Sequence, residues 1–492
     1  MVEARSGEYG TNSETGAPLG TVPAITRRRL IGTGAASAAT TAATPALAAV
    51  LAGCTAGGSR APASAEVQGK VVWSTRVNAD ENLWQQQAVV PKVKEKLPKV
   101  ELAFDTAPSS DWAVKLIASY AAGTPPDIHH GFAGIVISLY AQGQALELTP
   151  YVKRDKFDLA PYGGLQYDPD MCRSGKMWEL PIDSSMATMV FYNASMLQQA
   201  GVPPPPTSWQ DRTWTWDRLL DAARKTTKNW GEADAVYGLL GMQANPWFQV
   251  WPYLWGGDLW PKDFYAQGIG QTSQLTTSPV VDSLQYTQDL ALKQRVMPAQ
   301  GQPSRAFNMG GGALWITQTT AGATALKDAT FAWGMAPLPR QLTNKTVAYT
   351  NGIMDNKGAK APDAAWQVIK YLVSQEGQLD RIRVTPATPT RTDAFDPWLD
   401  FVQPKTVHKT KAEVKEVATG GLASYSDAWP HFIADATTLM PVLFTELQAN
   451  LMSGKGTAAA LLADTKPQVE TQMRTIYEKF KSSPLVRDTL CS

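Results

Sequence analysis

The chain has 492 residues, 45 Lys and Arg against 44 Asp and Glu, and 44% hydrophobic residues. That is ample length for a large core, and the near-neutral balance leaves no basic footprint, so a nucleic-acid partner is excluded. Three cysteines exclude a disulfide-rich scaffold and four histidines leave little material for a multi-ligand metal centre, whereas 17 tryptophans are an unusual supply of large flat side chains.

The N-terminal segment reads as an address. Thr26-Arg27-Arg28-Arg29-Leu30-Ile31 is followed by a run without charge until Arg60, rich in Ala and Thr and interrupted by Pro45. This run is too weakly hydrophobic for a permanent membrane span and suits an export signal, and the arginines resemble a twin-arginine signal. It closes on Leu51-Ala52-Gly53-Cys54, which resembles the lipobox of bacterial lipoproteins. The resemblance implies that residues 1–53 are removed, that Cys54 is lipidated, and that the mature protein is exported and held at the cell membrane by its acyl chains. Residues 54–66, with Gly57-Gly58-Ser59 and Pro62, read as a flexible tether. Cys172 and Cys491 then remain and could pair in an oxidising compartment.

Beyond the tether, strands and helices alternate. The β-branched run Lys70-Val71-Val72-Trp73-Ser74 predicts a strand, residues 83–96 a helix, and 99–104 a second strand. A helix over 112–122 stops at Gly123, before Pro125-Pro126; a strand begins at Asp127 and a helix covers 135–142. A second block holds a strand at 187–192, a helix at 194–201, a helix opened by Thr215 as its cap, and a strand at 237–241. Further helices are expected at 280–293, 312–319, 361–374, 437–453 and 457–479. The alternation predicts an α/β architecture with a mainly parallel sheet.

A series of short motifs then recurs in order. These are Thr124-Pro125-Pro126-Asp127-Ile128, Leu146-Glu147-Leu148-Thr149-Pro150, Trp178-Glu179-Leu180-Pro181, Phe191-Tyr192-Asn193, Ala200-Gly201-Val202-Pro203, Phe307-Asn308-Met309-Gly310 and Met335-Ala336-Pro337-Leu338-Pro339. Their order resembles the extracellular solute-binding proteins of ABC importers, in the sugar-binding branch that includes maltose-binding protein. The resemblance implies a two-lobe periplasmic-binding-protein fold of type II with the ligand in the cleft between lobes. It also implies a sugar or oligosaccharide ligand, a membrane permease as partner, no cofactor and no enzymatic activity. Lobe one is placed at 67–181 plus 336–389 and lobe two at 184–333 plus 391–492, with crossings near 181–185, 334–337 and 388–391.

Sugars present apolar faces rimmed by hydroxyls, so the expected site combines aromatic plates with fixed polar groups. Eight tryptophans fall between Trp209 and Trp260, among them Trp247, Trp251 and Trp255 at four-residue spacing, where Pro246, Pro252, Gly256 and Gly257 suggest a loop-rich surface. Core burial is the competing reading for each. Trp73 and Phe132 gain because ligands bind beyond the carboxyl ends of strands in open α/β sheets. Trp315 follows Gly310-Gly311-Gly312, near an expected helix start. The polar candidates are Arg76 after the first strand, Asp183 at the first crossing, Asn351 near the second and Arg391 at the third.

The alternative is a secreted carbohydrate-active hydrolase drawing its carboxylate pair from Asp168, Asp170, Glu179 and Asp183, whose separation the sequence does not give. Other enzyme signatures fail. There is no Gly-x-Ser-x-Gly elbow. His129-His130 would point to opposite faces of a strand, so no metal site is expected there. Asp168-Pro169-Asp170 lacks the rest of a calcium loop, and Gly454-Lys455-Gly456-Thr457 lacks the P-loop order.

Overall fold

The structure is a computed structural model that describes residues 67–483 apart from 78, 132–134, 164–170, 174, 186, 242–249, 263, 265–267, 425, 429–438 and 440. The leader, Cys54, the tether, Phe132, Trp247 and Cys491 lie outside the described residues. Cys172 is disulfide-bonded to a partner that also lies outside them.

The first strand, β1 (Gly69–Val77), runs parallel to β2 (Val100–Pro108) and β3 (Ile128–Gly131). Between β1 and β2 the chain forms α1 (Ala79–Trp84), a π turn (Gln85–Val89) and α2 (Val90–Lys96). The π turn ends just before Pro91, which cannot donate an i→i−4 bond. Helix α3 (Ser109–Ala121) buries Trp112 and Leu116 and ends at Gly123, whose φ of 72° and bond to the Tyr120 carbonyl (3.1 Å) close the last turn. Helices α4 (Ile135–Ala141) and α5 (Thr149–Arg154) follow β3.

After the two-residue strands β4 (Cys172–Arg173) and β5 (Lys176–Met177), β6 (Glu179–Ser185) still belongs to the first sheet. The chain then enters a second sheet with β7 (Thr188–Asn193), every residue of which is buried. It continues through α6 (Ala194–Gln199), α7 (Trp216–Thr226), β8 (Tyr237–Leu240), α8 (Val250–Leu254) and α9 (Ser278–Leu292). Asn193 caps α6 through Met196 N–H (3.0 Å), and Thr215 caps α7 through Arg218 N–H (3.4 Å). The helix expected over 312–319 is instead β9 (Gly312–Gln318), parallel to β8 and antiparallel to β7. It is followed by α10 (Thr319–Ala325) and β10 (Trp333–Ala336). The second sheet is ordered β10-β7-β9-β8.

β10 keeps Gly334, Met335 and Ala336 paired with β7, and the chain leaves the second sheet after Ala336. The first sheet resumes with β11 (Thr346–Asp355), antiparallel to both β3 and β6. Helices α11 (Pro362–Val373) and α12 (Gln375–Val384) belong to that half, and α13 (Phe395–Val402), α14 (Lys411–Ser424), β12 (Ser426–Ala428), α15 (Leu447–Met452) and α16 (Ala458–Phe480) complete the chain. One apolar cluster lies under the first sheet around Trp73, Trp84, Trp366 and Ile369; a larger one fills the second half and reaches Trp112 and Met354 of the first.

Candidate functional site

The carboxyl ends of β1 and β3 bring together Ser74, Thr75, Arg76, His129 and His130, all buried. As successive strand residues the two histidines face opposite ways. His129 Nδ1 lies 2.8 Å from the His130 carbonyl, which can only accept, so Nδ1 carries the proton and Nε2 accepts from the Tyr120 hydroxyl at 2.9 Å. Burial pulls its pKa down to about 4, and the ring is neutral at physiological pH. On the other face His130 packs edge-on to Trp73, with Nε2 3.5 Å from Glu81 Oε1. Burial again pulls its pKa down, against the pull of Glu81, so the contact joins a neutral imidazole to a carboxylate and is not a full ion pair. Thr75 Oγ1 donates to that carboxylate at 3.1 Å and accepts from Gln85 Nε2 at 3.0 Å.

Beside this group lie the passages between the sheets. Asn351 on β11 donates through Nδ2 to Asp183 Oδ1 on β6 at 2.7 Å, and Arg381 on α12 reaches Asp183 Oδ2 at 2.9 Å with its guanidinium 4.6 Å over the Trp84 ring. Burial pushes the Asp183 carboxyl up, but the Arg381 charge, the Asn351 amide and Arg76 outweigh it and hold the group below the usual carboxylate range. Asp183 is therefore an ionised, paired anion. Gln378 laces the first and third passages together, donating to the Ile182 carbonyl (2.8 Å) and accepting from Thr390 N–H (2.9 Å). Thr390 Oγ1 donates to the Pro181 carbonyl at 3.0 Å. From the second half, Thr320 Oγ1 donates to the Ser184 carbonyl at 2.7 Å and accepts from Thr388 N–H at 3.1 Å. Glu179, 1% exposed, lies across Gly131 and Gly352; a Cβ on those glycines would come within 1.6 and 2.1 Å of its Oε2, so only glycine leaves room for the carboxylate.

The structure divides the sequence-derived candidates. Arg76, Asp183 and Asn351 come together in the buried polar group just described. Trp73 is 0% exposed: β1 is paired on both edges and the ring is enclosed by Trp84, Phe104 and His130, so it presents no free face. Trp251 is also 0% exposed, tilted against Trp216 at 4.8 Å on a helix packed on α9, which corrects the expectation of a surface loop there. Trp255 is half-buried against Tyr286 at 5.1 Å. Trp315 is half-buried on β9, stacked on Phe307 at 5.4 Å, and sits on a strand, not near a helix start. Arg391 is engaged by Asp393 through two bonds (2.9 and 2.7 Å) and lies 5.3 Å over Tyr162. Glu81, Gln378, Arg381 and Thr320 escaped the sequence reading, because each gains its role only from partners brought close by the fold.

Two α/β sheets, with connecting passages laced together near Pro181–Ser184 and Thr388–Thr390 and a polar cluster at the strand ends beside them, define a two-lobe binding-protein fold. The chain belongs to the bacterial extracellular solute-binding protein family, whose model matches residues 33–379. The fold is similar to that of an ABC substrate-binding protein of Listeria monocytogenes in complex with cycloalternan (18% identity, 83% of this chain and 99% of that one, TM-score 0.70). It is also similar to the GacH receptor of Streptomyces glaucescens, solved with acarbose (20% identity, 83% and 99%, TM-score 0.66). A third likeness is to the maltose/maltodextrin-binding domain MalE of Bdellovibrio bacteriovorus bound to maltotriose (16% identity, 82% and 100%, TM-score 0.66).

Proposed function

We propose that this protein is the extracytoplasmic substrate-binding component of an ABC importer, which captures a neutral sugar or oligosaccharide between its lobes and delivers it to a membrane permease. The observation that carries the reading is the pair of sheets joined by passages tied to one another at Ser184, Thr320, Thr388 and Thr390, a geometry in which short connectors can absorb lobe closure. The family assignment and the carbohydrate ligands of the three similar structures support it. The lobes are proposed as 67–181 plus 336–389 and 184–333 plus 391–492. The proposed plates are Trp255 and Trp315 with Phe132 and Trp247, and the proposed polar groups Arg76, Asp183, Asn351 and Arg391.

The hydrolase alternative lacks support. The family and the similar structures are binding proteins. Attachment through a lipidated Cys54, after twin-arginine export, rests on the Arg27-Arg28 pair and the Leu51–Cys54 box. No helix among the described residues is long and apolar enough to cross a membrane. If Cys54 carries lipid on its sulfur, the disulfide partner of Cys172 is Cys491.

A thermal-shift screen of the mature protein against maltose, maltotriose, longer glucans and cyclic oligosaccharides tests the reading, with the best hit incubated for hours and checked for products. A shift with at least one sugar and an intact ligand is expected. No shift across the panel, or accumulation of shorter products, would contradict it.

A further inference from the structure

Helix α10 sits at the seam of the two lobes and is fastened to the first half at both ends. At its start, Thr320 holds the Ser184 carbonyl and the Thr388 amide of the connecting passages. Just beyond its end, Lys327 Nζ reaches Asp80 Oδ1 of α1 at 2.7 Å. Lys327 follows β9 of the second sheet, and Asp80 follows β1 of the first, so the pair joins the lobes directly. The helical part from Thr320 to Ala325 rises about 7.5 Å and Lys327 lies two residues beyond it, so the pair is a second fastening separate from Thr320. The lysine is placed for this contact by its own lobe: Lys405 Nζ donates to the Lys327 carbonyl at 3.0 Å, and Lys327 N–H bonds to the Thr324 carbonyl at 3.4 Å. Its side chain is 18% exposed against 42% for Asp80, so the contact is partly shielded from solvent and only partly screened by salt.

We propose that Asp80 and Lys327 form a latch across the two lobes that favours the closed arrangement and slows release of the captured solute. Asp80 follows the carboxyl end of β1, the side on which ligands of open α/β sheets bind, so the pair belongs to the cleft side, where opening about the passages near Ser184 and Thr388 separates it while Thr320 stays close to the pivot. The latch rests on the two-lobe receptor reading above; it adds which side chains control the closed population. A group that contacts only the closed state shifts the equilibrium toward it by its differential interaction and no more.

The test has two arms on the full-length protein. In the first, carbodiimide treatment without ligand, followed by peptide mass spectrometry, should join Asp80 to Lys327 by an amide, and 1 M salt should reduce the yield. The exposed pair Lys225–Asp221, at 2.7 Å within one helix, serves as an internal control. Coupling of the control pair without any Asp80–Lys327 product would overturn the latch whether or not a ligand is known. In the second arm, release of the best sugar from the screen is followed by stopped flow. Asp80→Asn and Lys327→Gln should each speed release about threefold to fivefold, the scale of a partly exposed ion pair. The charge swap Asp80→Lys with Lys327→Glu should return the rate toward wild type. Unchanged release in both single variants also overturns the latch and leaves the receptor reading standing; failure of the wild type to bind any sugar overturns that reading instead, and the cross-link still decides the latch.

Discussion

Asp355, at the end of β11, is 0% exposed, and neither carboxylate oxygen has a hydrogen-bond partner among the described residues. Burial first, and then the charge of Asp127, raise its pKa well above the ordinary value; the adjacent Asn356 amide offsets little because its bond goes to the Asp127 carbonyl at 2.8 Å. A carboxyl raised on folding favours the protonated state, so its contribution is fully present below the unfolded pKa of about 3.9 and is lost as pH rises toward the folded value. Asp355→Asn should therefore be more stable than wild type at pH 7.5, with the gap closing near pH 4, in urea titrations at the two pH values. His129 acts with the opposite sign. Its pKa falls from 6.5 to about 4 on folding, so its contribution is present above 6.5 and lost as pH drops through that window, by about 3 kcal/mol. Asp183, held low by Arg381, likewise loses its contribution on acidification. Removing Arg381 takes away the main compensation of a buried charge and leaves only the Asn351 amide and the Arg76 charge. Arg381→Met should then cost roughly 3 kcal/mol or more of unfolding free energy in a urea titration at pH 7.5.

Among the elements, the legible ones carried a local signal. β1, β2, α3, β7, α7, β8, α9, α11 and α16 follow from β-branched runs, helical spacing, caps such as Thr215 and stops such as Gly123. The strand β9 did not. Gly-Ala-Leu-Trp-Ile-Thr-Gln, opening on the last of three glycines, reads as a helix start, yet it is paired along both edges by β7 and β8 and buries every residue but Trp315, as a central strand does. Strands β6, β10 and β11 were hidden for a similar reason, since their pairing is set by passages between sheets and not by their own pattern. The same dependence on distant partners explains the site. Asp183, Asn351 and Arg76 were visible as polar residues near crossings, but Arg381 and Gln378 lie within a helix whose face is defined only once α12 packs beside β6. Close element packing also gives a test. A Cβ on Gly238 of β8 would lie 1.9 Å from the Ala223 carbonyl oxygen of α7, a backbone atom that cannot rotate away. Gly238→Ala should destabilise the protein by about 1–3 kcal/mol by thermal or urea unfolding.

For the molecule as a whole, the order of motifs from Thr124 to Pro339 was enough to expect the two-lobe fold, while composition and charge only narrowed the class. The tryptophans needed the structure. Trp73 and Trp251 are buried in the apolar clusters, which leaves the half-buried Trp255 and Trp315 as the proposed plates among the described residues. Export and anchoring belong at this scale too. Cys54→Ala should release the protein from membranes in a fractionation, and non-reducing peptide mapping should link Cys172 to Cys491. Persistence of the Cys54→Ala variant in the membrane fraction would remove the anchor assignment. The central claim is that the lobes capture a carbohydrate. Calorimetric titration of the mature protein and of folded Trp255→Ala and Trp315→Ala variants with the best sugar from the screen tests it most directly. Saturable one-to-one binding is expected in the wild type. A variant that loses a plate burying about 100 Å² of ligand should lose roughly 2.5 kcal/mol, on the order of 70-fold in affinity. Absence of saturable heat with every sugar would contradict the account.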